Sequence, residues 1–208
     1  DHLSDLCFAP TTVARDALLA EGIPSSLVHV TGNTVIDALY HIVQRAPASS
    51  VPQVAQLADT PGKRMILVTA HRRENHGQPL LNILAALRQL AQRDDLLVVY
   101  PVHPNPNVRE PAHRLLGGLP NVALLDPQDY ITFVHLMKQS YLILTDSGGI
   151  QEEAPALGIP VLVLRETSER PEALATGVVR LVGTDTARIV AEASRLLGDP
   201  AAYAAMAR

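Results

Sequence analysis

The chain has 208 residues, 47% of them hydrophobic and 18% charged, and 17 Lys and Arg against 21 Asp and Glu give a net charge of −4. That balance excludes a basic face built for nucleic acid or an anionic membrane, and no apolar run approaches the ~20 residues of a membrane-spanning helix. A single cysteine, Cys7, rules out an intrachain disulfide and a cysteine-rich metal site, which fits the reducing cytoplasm.

Strand and helix signals alternate along almost the whole chain. Leu6 to Ala9 reads as a strand, Thr11 to Ala20 as a helix, Val28 to Thr31 as a strand and Thr34 to Arg45 as a helix. Ala46 to Lys63, with three prolines, reads as a loop or linker. Met65 to Thr69 is a short apolar strand, and Leu80, Leu81, Leu84, Leu87 and Ala91 mark one face of a helix. A strand over Leu96 to Tyr100, a helix over Val108 to Leu116, a strand over Val122 to Leu125 and a helix over Asp129 to Lys138 follow. Tyr141 to Thr145 is the next strand, Ile150 to Leu157 a short helix holding Pro155, and Val161 to Leu164 and Val179 to Val182 two more strands. Ile189, Val190, Ala193, Leu196 and Leu197 form the last helical stripe. About six central strands alternating with helices predict a Rossmann-like α/β fold, an open parallel sheet covered on both faces. The opening residues, Asp1-His2-Leu3-Ser4-Asp5, carry no initiator Met and no signal-peptide pattern, so the chain reads as a fragment.

Chemistry-bearing residues gather after strands, at the carboxyl edge where such sheets bind ligands. His71-Arg72-Arg73-Glu74-Asn75 follows the strand ending at Thr69, His103-Pro104-Asn105 follows the one ending at Tyr100, and Arg165 to Pro171 follows the one ending at Leu164. Asp146-Ser147-Gly148-Gly149 joins the strand ending at Thr145 to a helix. Glycines there let the backbone approach a ligand closely and reach positive φ, a helix start favours an anion, and Ser147 adds a hydroxyl donor. His71 and the arginines suit phosphate oxygens. Each feature has a plainer counterpart: a Ser or Asp helix cap with glycines that only turn the chain, and a solvated loop in which Glu74 pairs with Arg72 or Arg73. Eight histidines invite a metal, but no ligand spacing of the HExxH kind occurs, and His103 and His113 read as a loop and a helix residue. Glu153 lies about one helical turn beyond Gly149, where a carboxylate accepts hydrogen bonds from ribose hydroxyls while the backbone holds phosphate. Glu152 then faces elsewhere. The pattern describes a nucleoside diphosphate.

TGNTVIDAL (31–39), HRREN (71–75), HPNPNV (103–108), LLDPQDYITFVHLM (124–137), TDSGGIQEEAPALGIPVLVLRETSERPEA (145–173) and VRLVGTD (179–185) resemble the non-hydrolysing UDP-N-acetylglucosamine 2-epimerases of bacteria, over nearly the whole chain. The resemblance implies two Rossmann-like domains of the glycosyltransferase-B type with the active site between them. This chain matches the carboxyl-terminal domain: residues 1–30 as a lead-in from the first domain and 31–208 as the UDP-binding domain, with the family's first domain and its sugar-side carboxylates lying outside the chain and its final helix missing or cut short after Arg208. It implies that Ser147, Gly148 and Gly149 hold the diphosphate, Glu153 the ribose, and Gln128 and Phe133 the uracil. Arg170 corresponds to a basic residue reaching the nucleotide and His71 to a histidine that contacts phosphate and affects catalysis, while Arg72 and His103 resemble a regulatory set for a second UDP-N-acetylglucosamine. The reaction implied removes the C2 proton, expels UDP from C1 to give 2-acetamidoglucal and, after reprotonation on the opposite face, adds UDP back, with no cofactor. A homodimer, a cytoplasmic setting and a role in cell-surface polysaccharide synthesis go with the family. A glycosyltransferase of the same architecture, a hydrolysing 2-epimerase and a non-catalytic nucleotide-binding module are the other readings, HRREN and TSERPEA favouring the epimerase.

Overall fold

A computed structural model describes residues 3–45, 57, 60–168, 171–175 and 177–207. The chain divides into two compact units, Asp1–Arg45 and Ala46–Arg208. Most of the expected linker, Ala46 to Lys63, lies outside the described residues.

In the first unit β1 (Cys7–Ala9) and β2 (Val28–Val30) pair in parallel, joined through the helix Thr12–Ala20. Parallel pairing demands such a crossover, because a tight turn cannot return the chain in the same direction. Thr11 caps the helix, its hydroxyl accepting the Ala14 N–H at 3.1 Å. Cys7, Ala9, Ile23 and Val28 form a small core against Ala14, Leu18 and Leu27. The helix Thr34–Arg45, grouped by sequence with the larger domain, falls within this unit.

The second unit holds a six-stranded, wholly parallel sheet: β3 (Arg64–Thr69), β4 (Leu96–Pro101), β5 (Val122–Leu125), β6 (Leu142–Thr145), β7 (Val161–Val163) and β8 (Val179–Leu181), in the order β5-β4-β3-β6-β7-β8. Successive strands grow outward from β3 through β4 to β5, and the chain then returns to lay β6 on the other side of β3. The crevice beyond the carboxyl ends of β3 and β6 is therefore the topological switch point.

Both faces of the sheet are covered, so its central strands are apolar throughout rather than alternating. Ile66, Val68, Val98, Tyr100, Leu142 and Leu144 pack with residues of the helices Gln78–Leu90, Pro106–Leu116 and Thr186–Gly198. Val134, Leu136 and Met137, buried on the helix Tyr130–Gln139, lie outside that cluster. That helix contacts β3, while the short helix Ile150–Ala156 contacts β6 and β7. Truncating a buried Leu or Ile here costs roughly 2–5 kcal/mol, which gives the site a rigid platform. Two helices not read from sequence, Pro171–Ala175 and Pro200–Met206, complete the unit. Asp199 caps the latter by accepting the N–H groups of Ala201 and Ala202.

Candidate functional site

The switch point is fixed first by backbone register. Thr69 and Thr145 are paired at the ends of β3 and β6, and their hydroxyl oxygens meet at 2.6 Å. The Ser147 N–H donates to Thr145 Oγ1 at 2.9 Å, which starts the turn into the Gly148-Gly149 pair.

Asp146, fully buried, organises the neighbouring loop. Its Oδ2 accepts the backbone N–H groups of His71 and Arg72, both at 2.8 Å, and the Asn75 side-chain amide at 3.0 Å. Asn75 also donates to the Leu164 carbonyl at 3.2 Å, which brings in the end of β7. The Asp146 Oδ1 atom lies 3.6 Å from His71 Nδ1. The His71 ring stacks on that of His103, centroids 5.5 Å apart with 13° between planes. Tyr100, buried beneath, donates its hydroxyl to the Ala70 carbonyl at 2.6 Å. Burial, and then the charge of Asp146, push that hydroxyl above its ordinary pKa, so it remains a donor.

Two further links hold the loop after β7. Arg165, 6% exposed, donates through Nε to Glu74 Oε1 at 2.6 Å. Glu74 thus pairs with Arg165, where the plainer counterpart weighed from sequence had it pair with Arg72 or Arg73, because the sheet brings a distant loop within reach. Gln151, fully buried, donates to the Ser147 carbonyl at 3.2 Å and accepts from Ser168 Oγ at 2.5 Å.

The glycine turn differs from expectation in an informative way. Neither Gly148 nor Gly149 has positive φ; Gly149 is the N-cap of Ile150–Ala156 with φ −63° and ψ −41°, and no side chain caps the helix. The plainer reading of a Ser or Asp cap is thus excluded, since Asp146 serves the loop after β3 instead. A Cβ on Gly148 would lie 3.5 Å from Arg72 Nη2, and one on Gly149 would lie 3.4 Å from Glu153 Oε1. Both are ordinary contacts, so the fold itself does not require glycine at either position. Among the described residues neither amide donates to a protein acceptor.

Glu153 sits beside this turn. Its backbone N–H donates to the Gly149 carbonyl at 3.0 Å, and its Oε2 accepts the Tyr130 hydroxyl at 2.9 Å. Burial pushes the Glu153 carboxyl above its ordinary pKa, the Tyr130 hydrogen bond opposes that rise, and the charge of Glu152 adds to it. Tyr130 is pushed up to about 12, by burial first and then by its bond to Glu153. Glu152 is half-buried.

Contacts therefore bring together His71, Arg72, His103, Gly148, Gly149 and Glu153, with Ser147 in the same turn. Phe133 is half-buried three residues after Tyr130, on the same helix face. Gln128 lies in the preceding loop, its Nε2 donating to the Asp126 carbonyl at 2.7 Å. Arg170 lies outside the described residues. Asp146, Asn75 and Arg165 stand in loops that the sequence marked but without the roles found here, and Tyr130 and Gln151 were given no role from sequence. The one available signal was an Asp closing an otherwise apolar strand, where a buried carboxylate needs donors.

The model of the UDP-N-acetylglucosamine 2-epimerase family matches residues 1–208. The chain belongs to this family. It is 54% identical over 213 residues to the UDP-N-acetylglucosamine 2-epimerase of Salmonella typhimurium, covering 100% of this chain and 56% of that protein. The crystal structure of the Neisseria meningitidis 2-epimerase bound to UDP-GlcNAc is 46% identical, with a TM-score of 0.89 over 99% of this chain and 57% of that one. The Methanocaldococcus jannaschii enzyme in complex with UDP-GlcNAc and UDP is 32% identical, with a TM-score of 0.82 over 96% of this chain and 56% of that one. The chain spans about half the length of the curated relatives it matches. The α/β class with an open parallel sheet, expected of this epimerase family, is the one found, and its structural neighbours are 2-epimerases of the glycosyltransferase-B type. Among the described residues no helix is long and apolar enough to cross a membrane.

Proposed function

We propose that this chain is the UDP-binding half of a UDP-N-acetylglucosamine 2-epimerase that interconverts UDP-GlcNAc and UDP-ManNAc. The observation that carries the reading is the Gly148-Gly149 turn: two glycines that the backbone conformation and the packing do not demand, whose amides donate to no protein acceptor among the described residues, with Arg72 Nη2 beside them. A surface kept clear of Cβ atoms, next to N–H donors and a guanidinium, suits a diphosphate.

The remaining residues then fall into place around one nucleotide. Ser147, Gly148 and Gly149 hold the diphosphate, Glu153 the ribose hydroxyls, and Gln128 and Phe133 the uracil. Loss of the C2 proton and cleavage of the C1–O bond release UDP and leave 2-acetamidoglucal; reprotonation on the opposite face and re-addition of UDP complete the reaction. Electrons balance without a redox cofactor. UDP gains negative charge as the C1–O bond breaks, so donors aimed at its diphosphate stabilise the transition state more than the ground state. His71, held by Asp146 beside the glycine turn, is the group assigned to that charge. Arg72 and His103 are assigned to a second nucleotide-sugar at the same edge. Residues 31–208 are assigned to the UDP-binding domain, and the full-length protein to a cytoplasmic homodimer.

The test is calorimetric titration of the chain with UDP, repeated on Gly148→Ala. Binding by the parent and a loss of roughly tenfold or more in the variant, at unchanged melting temperature, supports the reading, since within the protein an added methyl makes only an ordinary contact with Arg72 Nη2 at 3.5 Å. No binding, or equal affinity in both proteins, overturns it.

A further inference from the structure

We propose that Tyr130 is a positioning residue that holds Glu153 for the ribose: its hydroxyl engages Glu153 Oε2 at 2.9 Å while Oε1 stands over Gly149. The inference rests on the UDP reading above and adds a specificity-determining residue to the same site.

The two oxygens of Glu153 have different surroundings. One accepts the Tyr130 hydroxyl; the other lies 3.4 Å from where a Gly149 Cβ would be, on the side where the diphosphate turn begins. A glutamate has three side-chain torsions, and fixing them costs entropy each time a ligand binds unless the protein has already done so. The Tyr130 hydrogen bond performs that fixing from a separate element, since the helix Tyr130–Gln139 is anchored by its own buried residues and by the Asp129 cap, which accepts the Thr132 N–H at 2.9 Å. Tyr130 is 39% exposed, so its ring is not retained for core packing. The bond also opposes protonation: burial and the charge of Glu152 on the same helix raise the Glu153 pKa, and the hydrogen bond from the Tyr130 hydroxyl, on a separate helix, lowers it. Among the described residues the Tyr130 hydroxyl is the side-chain donor to Glu153.

The experiment compares the chain with Tyr130→Phe for three ligands: UDP, 2′,3′-dideoxyuridine diphosphate and inorganic diphosphate. UDP affinity is expected to fall roughly tenfold, the scale of one hydrogen bond to a charged group, with the other two ligands unchanged. On a Glu153→Gln background the Tyr130→Phe effect on UDP shrinks. Without the hydroxyl, burial and Glu152 act on Glu153 unopposed, so the acid limb of UDP binding moves to higher pH. A purely structural tie between helices would instead lower affinity for all three ligands alike and leave the acid limb in place, which overturns the inference while the UDP reading stands. Failure of the parent chain to bind UDP at all overturns both.

Discussion

The Oδ2 atom of Asp146 accepts the backbone N–H of Arg72 at 2.8 Å, joining the residue after β6 to the loop after β3. The same oxygen takes the His71 N–H and the Asn75 amide, so three donors converge on one fully buried carboxylate. Removing the acceptor takes from the buried Asn75 amide and the part-buried N–H groups of His71 and Arg72 the oxygen they share.

Asp146→Ala is accordingly expected to destabilise the fold by about 3 kcal/mol and to lower the melting temperature by roughly 6–12 °C. Asp146→Asn keeps one acceptor oxygen and should lose less. Circular dichroism melts of both variants provide the check, and a melting temperature unchanged in Asp146→Ala would mean that the loop holds its shape without this anchor.

Glu153 separates two halves of the ligand. Glu153→Ala should weaken UDP by more than it weakens inorganic diphosphate, because the carboxylate is assigned to ribose while the turn amides face phosphate. Equal loss for both in calorimetry would show the assignment to be wrong. The pH behaviour has a definite sign. The folded-state pKa of Glu153 is raised, so the cost of its buried charge is present above that pKa and relieved as pH falls through it. Glu153→Gln should therefore leave the neutral-pH melting temperature equal or slightly higher while UDP binding drops.

The sheet was legible because parallel strands buried on both faces must be continuous apolar runs, and runs such as Met65 to Thr69 or Tyr141 to Thr145 admit few other readings. The loops were legible as a group, since strand ends at one edge collect the polar residues. What joined them was not. Glu74 and Arg165 are 91 positions apart and His71 and Asp146 are 75 apart, so their pairing follows from β6 returning beside β3 and β7 adding beside β6, a fact that no local pattern states. Positive φ at Gly148 and Gly149 was expected from residue type alone, whereas the turn enters the helix with Gly149 already in helical geometry. Glycine is permitted many conformations, and its presence does not say which one is used.

His71 can be tested only where the reaction runs. In a full-length protein carrying this chain, His71→Ala should lower kcat by roughly 100-fold, the usual scale for removing a donor from a developing negative charge. Substrate KM should stay within a small factor, because the interaction strengthens mainly as UDP departs. Steady-state kinetics on wild type and variant decide it, and an unchanged kcat would reduce His71 to a loop residue positioned by Asp146.

The 208-residue chain by itself is expected to bind UDP and yet fail to interconvert UDP-GlcNAc and UDP-ManNAc. Six parallel strands with helices on both faces give the second unit a core of its own, within the usual domain size of ~50–250 residues. The groups assigned to UDP, from Ser147 to Glu153, all lie in that unit. Abstraction at C2 is a different requirement. It needs a base positioned within hydrogen-bond reach of a carbon acid, and three carboxylates at this edge are otherwise engaged: Asp146 in the loop after β3, Glu153 with Tyr130 and the proposed ribose, Glu74 with Arg165. Closure by a second domain, which would exclude water and strengthen every contact to the leaving group, is not provided by these elements. The check is proton NMR in deuterated buffer, following both epimer formation and loss of the C2 proton signal. Exchange or epimerisation above a control without protein would place a working base among these residues and overturn the proposed division of labour between the two halves of the enzyme.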